Sequence, residues 1–273
     1  MFVSPMLLHK VDEPFDDDSY ITELKLDGFR TILTKFDNKI RIYTRHNNEI
    51  TAMFPELQNI SLPNGTVLDG EIIVTDDQGK PNFEYVMERF KSKRSGHQIS
   101  YSVFDTMYAN GDRITHLPLL DRKRILSELI PDDSPLLNKV QYINGNGIQY
   151  FELTQKHDLE GIVLKKANSK YSIAKRSSDW LKVINYKYDT VYVTGLRKKE
   201  FGLLLSFENG EYAGLMEFMS PVARKQFYSM YRTYVSGETD KFVYLKPGIK
   251  MNIKYRNLTS KGLLRIPSFV DWV

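Results

Sequence analysis

Glu23-Leu24-Lys25-Leu26-Asp27-Gly28-Phe29-Arg30 sets one lysine between apolar neighbours and follows it with an acid, a glycine and an arginine. A lysine amine is protonated at neutral pH and attacks poorly. Desolvation or nearby positive charge turns it into a nucleophile. Leu24 and Leu26 read as the inward flank of a strand end, which would hold Lys25 partly out of water. Gly28 offers a tight turn or a close backbone approach to a ligand. Arg30 carries a planar fork suited to phosphate or to a ribose oxygen. The same octet also reads as a surface strand ending in a turn, with Lys25 and Asp27 solvated, because short motifs match by chance.

Other stretches place polar groups where an apolar strand is expected. Thr66-Val67-Leu68-Asp69-Gly70-Glu71-Ile72-Ile73-Val74 interrupts a buried run with two acids, which need partners or an exposed Asp69-Gly70 bulge. Leu159-Glu160-Gly161-Ile162-Val163-Leu164-Lys165-Lys166 has an acid at the mouth of an apolar strand and two lysines at its exit. Residues 99–108 alternate like a half-buried strand, and Phe104 within it reads as core. Arg45, in Thr44-Arg45-His46-Asn47, reads by itself as a rim residue at a strand end.

Local pattern supplies the elements that position these groups. Residues 31–36 and 40–44 flank the turn residues Asp37-Asn38-Lys39 and predict a hairpin. Residues 82–90 predict a helix capped by Asn82, and 121–130 a capped amphipathic helix stopped by Pro131. A further helix is expected over about 148–159. After about Tyr188 the texture changes to short strands at 191–196, 202–207, 212–218 and 250–255, with Asn209-Gly210 as a hairpin turn and a helix over 221–234. Five or so strands and one helix suit an OB-fold, and basic and aromatic residues interleave across it.

Composition sets the outer limits. At 273 residues the chain forms one large domain or two smaller ones, and 41% hydrophobic residues suffice for a core. No apolar run approaches the ~18 residues of a membrane span, and the first residues lack the basic and apolar regions of a signal peptide. The absence of cysteine excludes thiol nucleophiles, disulfides and cysteine-zinc sites and fits a reducing cytosol. A net charge of +4 is compatible with a nucleic-acid partner and common elsewhere.

Taken in order, these stretches resemble the motifs of the covalent nucleotidyltransferases, above all the ATP-dependent DNA ligases in their minimal two-domain form. Glu23-x-Lys25-x-Asp27-Gly28-x-Arg30 is similar to motif I, Asp69-Gly70-Glu71 to motif III and the 99–108 strand to motif IIIa. Glu160-Gly161-Ile162-Val163-Leu164-Lys165 is similar to motif IV, Tyr171 to Lys182 to the loop into motif V, and Leu264-Arg265-Ile266-Pro267-Ser268-Phe269 to the start of motif VI. The resemblance implies an α+β chain. Its first part, 1–187, is an ATP-grasp-like nucleotidyltransferase domain with two antiparallel-rich sheets, and 188–273 is a β-barrel OB-fold. It further implies that Lys25 attacks the α-phosphate of ATP and carries AMP. Glu23 reads the adenine amino group, Phe104 stacks on the purine, Arg30 and Arg45 contact sugar or phosphate, and Arg176 sits on the nucleotide. Lys182 faces the α-phosphate, and Lys165 or Lys166 faces phosphate. Glu160 binds Mg²⁺ (or Mn²⁺), and Glu71 meets the ribose hydroxyls or a metal-bound water.

The implied partner is nicked duplex DNA, met by a cytoplasmic monomer in repair, replication or recombination, with a clamp or end-binding protein as an added grip. The lead-in Pro5-Met6-Leu7 resembles the opening of a ligase core, so no large helical DNA-binding domain is expected in front of it. Three departures stand out: Asn47 where the family often has glycine, Ile184 where many ligases have a second lysine, and the end of the chain at Val273 before the R-x-D-K element of motif VI. Two other readings share much of this pattern. One is a GTP-dependent mRNA guanylyltransferase, which Glu23 disfavours. The other is a non-catalytic nucleic-acid-binding protein descended from a ligase.

Overall fold

Asp37 and Asn38 both adopt positive φ (52° and 57°) and so make the sharp two-residue turn that matches strand twist. They join Phe29–Phe36 to Lys39–Thr44, and Lys39 belongs to the second strand rather than to the turn. The computed structural model describes residues 1–92 and 94–273 and divides the chain into two compact units, Met1–Asn185 and Tyr186–Val273.

The first unit holds two mixed, mainly antiparallel sheets. One has five strands in the order Leu7–Lys10, Arg176–Ile184, Gly161–Lys166, Tyr20–Leu24 and Tyr142–Asn144. Its parallel pair joins Leu7–Lys10 to Arg176–Ile184. The other has six, with Lys39–Thr44, Phe29–Phe36, Thr66–Ile73, Ser100–Ala109 and Asp112–Arg113 in order, and Leu137–Lys139 parallel to Ser100–Ala109. Leu33, Ile42, Phe54, Leu68, Ile72, Val86 and Tyr101 form a fully buried core against the second sheet.

Among the described residues three α-helices flank these sheets. Phe83–Lys91 is capped as its sequence predicts: Asn82 accepts from the Glu84 and Tyr85 N–H groups. Leu119–Leu129 starts earlier than expected and has Pro118 in place of a side-chain cap, with Asp121 in its first turn. The third spans Gly147–Lys156.

The second unit contains Lys187–Arg197, Leu203–Ser206, Tyr212–Met216, Val235–Glu238, Phe242–Leu245, Lys250–Tyr255 and Ser268–Trp272. The long strand Lys187–Arg197 pairs along its first half with Lys250–Tyr255 and along its second with Leu203–Ser206 and Phe242–Leu245. Val191, Val193, Leu205, Met216, Phe227, Met251 and Ile253 are its buried centre. Among the described residues the ladders do not close into the expected barrel. An isolated parallel bridge, Phe218 with Ser268, lies where closure would fall. The helix Pro221–Met230 is capped by Ser220 and continues as a tighter turn over Tyr231–Tyr234.

Candidate active site

The two sheets of the first unit face a cleft of about 630 Å³. Glu23, Lys25, Val163, Lys165, Trp180 and Lys182 line it from one sheet; Arg30, Arg45, Glu71 and Phe104 line it from the other.

Lys25 follows the strand Tyr20–Leu24 and is anchored by its N–H to Gly161 O (2.9 Å). Its side chain is 21% exposed, and its Nζ lies 2.8 Å from Glu160 Oε2, whose side chain is 10% exposed. The lysine is therefore held partly out of water beside a carboxylate, not solvated on a surface turn. Gly161 makes the arrangement possible. It takes φ 136°, and a Cβ there would lie 2.1 Å from Val183 O. Gly28 sits in the bend after the lysine and lines the cleft. A Cβ on it would lie 2.4 Å from Ile72 O and 2.8 Å from Glu71 Cγ. It lets the lysine segment pass close to the strand that carries Glu71.

Glu71 lies opposite Arg30 in the ladder between Phe29–Phe36 and Thr66–Ile73. Burial raises its carboxyl to about 8; Lys25 and Arg30 oppose the rise, while Glu160 and Asp69 add to it. The ladder to Ser100–Ala109 shifts register between Asp69 and Gly70, as a bulge would, but Asp69 is buried rather than exposed. It is 0% exposed and takes a bidentate contact from Arg30 Nε (3.0 Å) and Nη2 (2.6 Å) plus the Tyr171 hydroxyl (2.6 Å). Desolvation pushes the Arg30 pKa down, but the adjacent Asp69 charge, with its hydrogen bonds, more than reverses that, so the net shift is upward.

Glu23 is buried between two cations. It pairs with Lys123, from the helix Leu119–Leu129, and with Lys165 at 2.6 Å. Lys165 is 2% exposed, with its Nζ 4.5 Å from the Phe104 ring centre and 4.2 Å from that of Trp180. Burial lowers its pKa to about 8; Glu23 works against this and Lys123 with it. The expectation that Lys165 reaches out to phosphate thus meets a lysine packed between aromatic rings. Lys182 lines the same cleft, paired in the ladder with Val163.

Arg45 is exposed at the rim and donates to His46 Nε2 at 2.9 Å. Asn47 adopts φ 64°, the left-handed conformation that a glycine there would take. Arg176 is exposed, donates to Leu8 O and is not brought into the cleft lining. Ile184 is 5% exposed and pairs with Gly161. Sequence reasoning missed Trp180, His46, Lys123 and Tyr171 as members of this region. Trp180 was accessible to it, two residues before Lys182 and so on the same face of one strand. Nothing in the helical pattern around Lys123 marks that lysine for burial.

Two facing sheets around a lysine, two acids and an aromatic-lined basic wall define a nucleotidyltransferase-like ligase fold. Residues 5–183 match the model of the ATP dependent DNA ligase domain, and the chain belongs to that family of enzymes. It is 54% identical over 272 residues to the SPbeta prophage-derived DNA ligase-like protein LigB of Bacillus subtilis (strain 168), covering 100% of this chain and 99% of that one. It is 32% identical over 227 residues to the bifunctional non-homologous end joining protein LigD of the same organism, covering 74% of this chain and 36% of that protein. The chain therefore spans about a third of that longer relative. Among solved structures, mycobacterial DNA ligase D complexed with ATP and MES shares the fold, with a TM-score of 0.64, 23% identity, and coverage of 99% of this chain and 95% of that one. A Lig E DNA ligase structure does so with a TM-score of 0.70 at 16% identity, covering 100% of both chains. These comparisons give no support to the guanylyltransferase reading.

Proposed function

We propose that this chain seals 5′-phosphate/3′-hydroxyl nicks in duplex DNA by way of AMP carried on Lys25. The observation that supports this most directly is Lys25 in the cleft lining with Glu71 on the facing sheet, its Nζ held 2.8 Å from Glu160. The Lys25 amine attacks the α-phosphorus of ATP, a nitrogen–phosphorus bond forms, and pyrophosphate leaves as the amine loses a proton. The nick's 5′-phosphate then takes AMP from the lysine. The 3′-hydroxyl attacks that phosphate, loses its proton and expels AMP. Such chemistry rests on position and charge neutralisation, which suits a site of lysines, arginines and carboxylates.

Glu71 and Glu160 are hard oxygen donors that fit Mg²⁺. Among the described residues no group of three or more His, Cys, Asp or Glu could hold a metal. A pair of carboxylates suffices because Mg²⁺ ordinarily completes its shell with phosphate oxygens and water. The ion would screen the phosphates of ATP there. Lys182 faces phosphate. Phe104 carries the adenine, with Trp180, Lys165 and Glu23 at the base end of the cleft. Arg30 and Arg45 contact sugar or phosphate.

We assign nucleotide chemistry to the first unit and read the second as an OB-fold that grips DNA. Its strand and helix inventory and the Phe218–Ser268 bridge support that reading. So does a run of cations over tyrosine rings: Lys254 and Arg256 at 5.0 and 5.4 Å from Tyr186, and Lys250 at 5.6 Å from Tyr192. No helix among the described residues is long and apolar enough to cross a membrane. We expect a cytoplasmic monomer with a clamp or end-binding protein as partner.

The test is incubation with α-labelled ATP or GTP and Mg²⁺ beside Lys25→Ala. Acid-labile label from ATP on the wild type alone is the expected result. Label from GTP alone would move the reading to capping. No label on folded, AMP-free protein would leave a binding protein.

A further inference from the structure

Met6, Arg30, Asp69 and Tyr171 come from four separate stretches of the first unit and close one hydrogen-bonded ring. The Met6 N–H donates to the Tyr171 hydroxyl at 3.0 Å, and that hydroxyl donates to Asp69 Oδ2 at 2.6 Å. Arg30 grips the same carboxylate with two donors, and its Nη2 also donates to Met6 O at 2.8 Å. The peptide groups flanking Met6 are thus tied to the tyrosine on one side and to the arginine on the other. Met6 and Asp69 are 0% exposed and Tyr171 is 3% exposed, whereas Arg30 opens onto the cleft. Its Nη1 takes no part in the ring. The Tyr171 ring also meets Trp180 edge-on at 5.6 Å, and Trp180 is part of the cleft wall.

Building on the nucleotide site proposed above, the geometry points to Tyr171 as a positioning residue for ATP: its hydroxyl fixes Asp69, and Asp69 fixes the Arg30 guanidinium at the cleft. A free arginine gives up rotamer freedom when it grips a ligand, and one already clamped gives up less. Tyr171 makes no contact with the nucleotide in this scheme. Removing its hydroxyl leaves the Met6 N–H unpaired in the interior and Asp69 short of one donor, so the ring opens on two sides. The arginine then keeps its charge and its partner but loses its fixed direction.

A double-mutant cycle tests this, with ATP dissociation constants measured calorimetrically in a Lys25→Ala background so that no transfer follows binding. Tyr171→Phe is expected to weaken ATP about tenfold, and Arg30→Ala to weaken it more. The double substitution should match Arg30→Ala within about twofold, because the tyrosine acts only through the arginine. Losses that multiply, or unchanged affinity in Tyr171→Phe, overturn the proposal. If Tyr171→Phe melts below the assay temperature, nuclear magnetic resonance of the wild type decides. A slowly exchanging Arg30 Nε–H is expected, and rapid exchange overturns the ring. ATP binding that follows the cycle without any label on wild-type Lys25 would sink the ligase chemistry and leave this inference standing. Absence of ATP binding in the parent overturns both.

Discussion

Glu71 shows how one residue can be tuned by its place between sheets. A glutamate titrates near 4.5, and burial in this cleft raises Glu71 to about 8. Below about pH 4 folded and unfolded chains are both protonated here, and the group costs nothing. As pH rises from 4.5 toward 8 the unfolded chain releases a proton that the folded one retains. The favourable contribution present at low pH is therefore lost through this window and is gone above it. Without nucleotide, Glu71→Gln should gain progressively on wild type as pH rises from about 4 to about 9, by up to about 4–5 kcal/mol. Parallel pH dependences of unfolding in the two proteins would show that Glu71 ionises freely. Asp69 illustrates the opposite risk: its replacement by alanine strands the Arg30 charge near the interior, at a cost of about 3–5 kcal/mol by denaturant unfolding.

At the scale of elements, glycines set the distances that the chemistry needs. Gly28 brings the lysine segment against the Glu71 strand, and a Cβ there meets backbone at 2.4 Å. Gly28→Ala should cost about 2–3 kcal/mol in urea unfolding, because the neighbour that must move is a carbonyl in a sheet. It should also slow labelling from ATP, since Lys25 and Glu71 move apart; full stability with normal labelling would show that the two strands part freely. Asn82→Ala probes a different element. It removes two capping bonds from Phe83–Lys91 and should cost about 1 kcal/mol, read as a lowered melting temperature.

For the whole molecule, the proposed grip on DNA combines modest net charge with half-buried cations set over tyrosine rings. With a formal charge of +4, nick binding should be weak and should fall by at least about tenfold between about 50 and 200 mM salt. Gel-shift titrations on nicked duplex with Lys25→Ala would measure it. An affinity that barely changes across that range would argue for a grip made by shape rather than phosphate charge.

The ordered motifs were legible in the sequence because each is a short local pattern: Lys25 two residues before Asp27-Gly28, Glu71 within an apolar run, Glu160 at a strand mouth. The Asp37-Asn38 turn and the Asn82 cap were legible for the same reason, since turn and cap chemistry is settled by neighbours in the chain. The strands Val235–Glu238 and Ser268–Trp272 were not. The first is exposed throughout and has no alternation to read, and the second is defined by its partner Lys250–Tyr255. Side-chain partnership also lay beyond the sequence. Whether Lys165 points out to phosphate or packs between Phe104 and Trp180 depends on strands that are distant in the chain and adjacent in space. The same holds for Tyr171 and Met6, 165 positions apart and joined by one hydrogen bond. Residue type and spacing determined which groups are available for chemistry. Only the packing of the two sheets decided which oxygen or ring each buried charge meets, because a charge withdrawn from water must find its partner wherever the fold supplies one.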